Sequence, residues 1–220
     1  MARSIPLFPL GSVVLPGQTL SLHVFEDRYR DLVAYLLTLP EAERRFGIVS
    51  IREGYEVGES GVQSIHRVGV EVVLTDVTGY DDGRYDLTVD ALGRIRLDAG
   101  VTGESFMWGH VEDLDEPVGE GVDQAADRAH AVFDAYRTEL NRFRLDAQVE
   151  ELPGDPVDLS YLLASSAVLT LPDRQELLEA DDAAERLRYY HHLMLTEIAA
   201  MRAVPSLPAV DVARTSWSPN

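Results

Sequence analysis

Two residue types are missing from this chain of 220 residues, and each absence removes chemistry. There is no cysteine, which excludes disulfides, thiolate nucleophiles and cysteine-based metal sites. There is no lysine either, since all 19 basic residues are arginine. A phosphate-loop lysine, a Schiff-base lysine and a serine–lysine dyad are therefore excluded. Basic charge as a whole is scarce: 38 acidic residues against 19 basic ones give a net charge of -19 and a pI near 4.5. Nucleic acid and anionic membrane surfaces both demand a basic face, so neither is an expected partner. No apolar run is long enough to span a bilayer and the first residues hold no signal-peptide core, so a cytoplasmic address is expected. The remaining composition, 45% hydrophobic and 26% charged, is that of a globular protein with one large domain or two small ones.

The first half is patterned for strands. Ile5 to Leu10 is apolar, with Pro6 and Pro9 placing it at an edge or a strand end. Leu20, Leu22 and Val24 alternate with polar residues, and the period then changes: Tyr29, Leu32, Val33, Leu36 and Leu37 have helical spacing, stopped by Pro40. Phe46 to Ile51 and Ile65 to Val77 predict further strands, and Asp82-Gly83 predicts a hairpin into Tyr85 to Ala91. Ile95 and Leu97 suggest one more short strand, and Phe106 to Leu114 a last one. About seven short strands point to a barrel-like or sandwich-like β domain.

Beyond Glu116 the spacing is helical. Val122 to Phe143 keeps one apolar face, and Leu159 to Val168 suggests a second helix. Asp173 with Glu176, and Asp182 with Glu185, have the spacing of helix-start capping pairs. The expected organisation is thus α+β: a β-rich part at 1–118, a helical part at 119–203 and an extended or disordered tail at 204–220, which contains Trp217.

Candidates for chemistry are few. Neither a phosphate loop nor a dinucleotide fingerprint occurs, and no cofactor is expected. His191 and His192 are adjacent, so on a helix they point about 100° apart and cannot share a metal. His110 and Glu112 would share one face of a strand, a conceivable ligand pair, although an exposed histidine is the commoner fate. Ser60 lacks a nucleophile-elbow spacing, and Ser165-Ser166 sits within an apolar helix. Asp81-Asp82 and Asp181-Asp182 fall at a turn and a helix start, where carboxylates cap amides. Phe106 and Trp108 would face one side of a strand and Met107 the other; burial in the β core competes with a place in an apolar peptide groove.

The order of these pieces resembles a known family. The run Pro6-Leu7-Phe8-Pro9-Leu10-Gly11-Ser12-Val13-Val14-Leu15-Pro16-Gly17, then Leu22-His23-Val24-Phe25-Glu26-Asp27-Arg28-Tyr29-Arg30 and Glu43-Arg44-Arg45-Phe46-Gly47-Ile48-Val49, is similar to the start of the N-terminal substrate-binding domain of Lon ATP-dependent proteases. Val68-Gly69-Val70, Tyr85-Asp86-Leu87-Thr88-Val89 and Gly93-Arg94-Ile95-Arg96-Leu97 resemble its hairpin and following strand. Leu171-Pro172-Asp173-Arg174-Gln175-Glu176-Leu177-Leu178-Glu179 and Ala184-Glu185-Arg186-Leu187 resemble its late helices. The likeness runs from about residue 5 to 202. One departure is Ala91, where the family usually has glycine, with Gly93 two residues on.

The resemblance implies a PUA-like six-stranded β pseudo-barrel followed by a C-terminal helical bundle, as a free-standing member without ATPase and protease domains. It implies a non-catalytic module that binds unfolded or apolar protein segments, with other proteins of the Lon system as further partners. The expected groove lies between the β part and the helices, near Phe25, Tyr29, Phe106 and Trp108. Its affinity is expected to be micromolar or weaker, because ordering a flexible peptide offsets apolar burial. Two alternatives stay open: a hydrolase using a metal at His110 and Glu112, and a small-molecule sensor with an aromatic-lined pocket. The sensor relatives carry that pocket in a cysteine-containing zinc subdomain, which this chain cannot build.

Overall fold

The computed structural model describes residues 3–54, 62–102, 105–142 and 151–203. It divides into two compact units, Met1–Asp115 and Glu116–Asn220. The first carries seven strands: β1 (Arg3–Leu10), β2 (Thr19–Val24), β3 (Arg45–Gly54), β4 (Val62–Ile65), β5 (Val68–Gly79), β6 (Tyr85–Thr102) and β7 (Met107–Asp113), with helix α1 (Asp27–Leu37) between β2 and β3. The order β1-β7-β6-β5-β3 returns to β1 through a parallel β1–β3 pairing, so five strands close a barrel. The resemblance implies six. The difference lies in β6, which is 18 residues long and continuous through Ile95 and Leu97. Its first part pairs with β2 and its later part with β7, so β2 lies alongside the ring without entering it.

Register shifts bend β6. Gly93 faces Glu71 and Ala91 faces Val72, leaving Leu92 as the extra residue of a bulge, 43% exposed. The hairpin forms where Asp82-Gly83 placed it: Gly83 has φ +83°, a conformation that favours glycine. Strand β1 tolerates its two prolines because its partners change midway. Arg3 to Pro6 pair with β7, and Leu7 to Leu10 pair with β3. Its side chains are buried on both faces. Ile5 and Leu7 join Val49, Ile95, Leu97 and Val111 in the barrel core, while Phe8 stacks on Tyr29 of α1, ring centroids 4.1 Å apart. Gly109 keeps that core tight, since a Cβ there would lie 2.6 Å from Leu7 and Leu97 side-chain atoms.

The second unit holds α2 (Val122–Arg142), α3 (Pro156–Ser166), α4 (Leu171–Glu179) and α5 (Ala183–Ala203). Helices α2 and α5 run side by side in the same direction, because Arg188 near the start of α5 donates to the Glu120 carbonyl and Arg202 at its end pairs with Glu139. Asp155 caps α3 by accepting from Val157 and Asp158 amides. Helix α4 begins two residues before Asp173: its cap is Thr170, whose hydroxyl accepts from the Asp173 amide. Asp182 caps α5 as its spacing predicted, accepting from the Glu185 amide at 2.7 Å. Ser165 and Ser166 donate back to helix carbonyls of their own turn, a packing role. The tail with Trp217 lies outside the described residues.

At the heart of this unit Arg186 is fully buried. Its Nε donates to the Leu177 carbonyl and its Nη1 to Ser160, its Nη2 lies 3.5 Å from Glu116, and its guanidinium sits 3.9 Å over the Tyr161 ring. The Tyr161 hydroxyl completes the network by donating to Glu116 at 2.8 Å. A charge this deep is tolerable because its nitrogens find acceptors and one face rests on an aromatic ring.

Candidate functional site

Helix α1 turns Tyr29, Leu32, Val33 and Leu36 inward, the spacing of one apolar face. Tyr29 was expected to line a groove, and the structure corrects this: it is 5% exposed, stacked on Phe8, with its hydroxyl donating to the Pro9 carbonyl at 3.1 Å. A ring so placed serves packing, because both its faces and its polar tip are occupied within the barrel unit. Phe25 is half-buried in the turn between β2 and α1, beside His23 at 6.2 Å. His23 is also 6.5 Å from Tyr80, and its Nδ1 lies 2.6 Å from Asp86, which accepts a short hydrogen bond from the Tyr80 hydroxyl. Those bonds hold the Asp86 carboxyl below its ordinary range, Tyr80 first and His23 second, and they raise the Tyr80 phenol.

Phe106 and Trp108 do share a face. Their rings stack at 5.7 Å, while Met107 packs against the barrel core from the other side. A third ring joins them: Tyr35 of α1 lies 5.7 Å from Phe106 and 5.4 Å from Trp108. All three are half-buried, so a connected aromatic surface remains open to solvent. Sequence reasoning missed Tyr35. It is six residues from Tyr29 at the margin of the apolar face, and a large ring at such a margin was the available signal.

Trp108 and Tyr35 form part of the wall of an open cavity of about 430 Å³, whose other side is ionic. Glu71 of β5 is buried, its Oε1 2.7 Å from Arg3 and its Oε2 3.5 Å from Arg45. Arg3 also reaches Asp113 at 2.5 Å. Burial alone would lower the Arg3 guanidinium, but its bonds to Asp113 and Glu71 outweigh that and hold it above its ordinary value. A second open cavity, about 520 Å³, adjoins across Arg3, Glu71 and Arg45 and reaches Leu92, Arg94 and Leu114. This arrangement presents aromatic surface on one side and guanidinium donors beside carboxylates on the other.

One member of the conceivable metal pair is otherwise engaged. His110 is exposed on β7, and Glu112 accepts from Arg96 at 3.2 Å. Among the described residues no group of three or more His, Asp or Glu side chains could hold a metal ion, and no helix is long and apolar enough to cross a membrane.

A barrel closed by a parallel β1–β3 pair and joined in sequence to a helical unit defines the class to which the comparisons point. Residues 4–196 match the model of the ATP-dependent protease La (LON) substrate-binding domain, and the chain belongs to that family. It is 27% identical over 209 residues to Lon protease 2 of Sorangium cellulosum, covering 91% of this chain and 26% of that protein. It is 28% identical over 200 residues to the Lon protease of Escherichia coli K12, covering 88% and 25%. The chain therefore spans about a quarter of the length of these curated relatives. Among solved structures, the Lon N-terminal domain protein from Xanthomonas campestris matches with a TM-score of 0.59 at 26% identity, covering 88% of this chain and 98% of that one. The N-terminal domain of the Mycobacterium avium complex Lon protease matches with a TM-score of 0.68 at 19% identity and the same coverage, a likeness of fold.

Proposed function

We propose that this chain binds unfolded, apolar segments of other proteins and carries out no covalent chemistry on them. The observation that carries the reading is the solvent-facing cluster of Tyr35, Phe106 and Trp108 beside an open cavity, in a member of a substrate-binding domain family. Clustered aromatic surface of this kind is a feature of interaction sites, and aromatic rings dominate the energetics of such contacts. The match to the Lon proteases covers a quarter of their length, and these 220 residues lack the lysine that a serine–lysine dyad or a phosphate loop requires. Peptide hydrolysis therefore does not transfer to this chain with the likeness. Binding is weak, because the peptide loses conformational freedom as its apolar groups are covered.

Calorimetric titration with a reduced, carboxymethylated, permanently unfolded protein tests the reading. Wild-type protein binds it, and Trp108→Ala weakens binding while the circular dichroism spectrum is unchanged. Equal binding by both, or binding by neither, contradicts it.

A further inference from the structure

The cavity beside Trp108 carries two arginines, Arg3 and Arg45, and two carboxylates, Glu43 and Glu71, and the donors of the arginines are not used up. Arg3 is committed through both terminal nitrogens, Nη1 to Glu71 and Nη2 to Asp113. Arg45 differs. Its Nε donates to the Ala42 carbonyl at 3.3 Å, and its Nη1 lies 3.5 Å from Glu71, at the outer limit of a hydrogen bond. Its Nη2 has no acceptor among the described residues, and its side chain is 49% exposed. Glu71 already serves two cations, one from each of its oxygens. It holds the two arginines at the cavity wall.

The site therefore offers spare N–H donors within the same 430 Å³ that Tyr35 and Trp108 line. With a net charge of -19, the protein as a whole repels anions, so a carboxylate settles here only where donors are aimed at it. An Asp or Glu side chain would bring the carboxylate without the apolar group. One residue that supplies both is the last residue of a polypeptide. Resting on the reading above, we propose that this cavity takes the C-terminal residue of an unfolded or cleaved protein chain. Its apolar side chain lies against Tyr35 and Trp108, and its α-carboxylate accepts hydrogen bonds from Arg45.

Fluorescence anisotropy with short, uncharged, dye-labelled peptides tests this. The peptides end in leucine as the free acid, in leucine as the amide, or in an amide with glutamate next to an internal leucine. Wild-type protein binds the free acid at least about tenfold more tightly than either other peptide, the scale of one charge-assisted hydrogen-bonded contact. Arg45→Ala removes that preference, so that the free acid binds no more tightly than the amide, and Trp108→Ala weakens all three. Equal affinity for acid and amide, an internal glutamate peptide as tight as the free acid, or a preference that survives Arg45→Ala overturns the proposal. Such a result with unfolded protein still bound through Trp108 leaves the peptide-binding reading standing. Loss of unfolded-protein binding refutes that reading separately.

Discussion

Tyr29 and Tyr35 sit on the same helix, six residues apart, and do opposite things. Tyr29 is sealed between α1 and β1, on Phe8 and the Pro9 carbonyl, whereas Tyr35 stands half-exposed against Phe106 and Trp108. The difference is one of helical phase. Tyr29 shares a stripe with Leu32, Val33 and Leu36, and Tyr35 falls at its margin, where the strand facing it is the outer side of β7. An aromatic residue near a groove is thus not evidence of binding until its phase is known. The buried pair holds the fold, and the open trio is the face we propose for a ligand.

That contrast can be broken by substitution. Tyr29→Ala should destabilise the barrel unit most, by about 3–5 kcal/mol, since it empties a packed aromatic site. Urea unfolding followed by circular dichroism measures it, and a loss no greater than that of Tyr35→Ala would erase the distinction. Trp108→Ala should weaken capture of an unfolded protein by about tenfold or more, as removal of an aromatic anchor does. Tyr29→Phe keeps the ring and loses only the bond to Pro9, a change of about 1 kcal/mol by the same unfolding assay. Tyr35→Ala should cost less than about 1 kcal/mol in stability, as expected of a partly exposed site, while still weakening binding.

The smallest effect concerns the hairpin, where a third set of aromatic residues surrounds Asp86. Its folded-state value is depressed, so its contribution is fully present above the ordinary carboxylate range and is lost as pH falls through the depressed value. The stability difference between wild type and Asp86→Asn should therefore be largest at about pH 6 and shrink toward about pH 3. A difference that grows in acid contradicts the assignment.

Much of this molecule was legible in its sequence because the determining patterns are local. Alternation placed Phe106 and Trp108 on one face, the Asp82-Gly83 turn fixed the β5–β6 hairpin, and Asp182 with Glu185 marked the start of α5. The failures came from longer range or from near-equivalent local options. Gly93 reads as a break, yet β6 passes through it, because a bulge at Leu92 absorbs the bend. Thr170 and Asp173 can each cap a helix, and the chain uses the earlier one. The ionic wall joins Arg3 to Glu71 across 68 residues, and the core of the helical unit joins Arg186 to Glu116 across 70, separations that no periodicity reports. Tyr29 was misplaced for the reason given above: its neighbours in sequence resemble a site, and its phase puts it in the core.

The claim that the Tyr35–Phe106–Trp108 face receives unfolded protein is tested most directly by the fluorescence of Trp108. The chain has two tryptophans, so the measurement uses Trp217→Phe, in which Trp108 is the remaining emitter. Adding a permanently unfolded protein that itself lacks tryptophan should shift the emission to the blue and saturate, and the folded form of that protein should leave the spectrum unchanged. An unaltered spectrum with the unfolded form, or the same shift with both forms, would contradict the account.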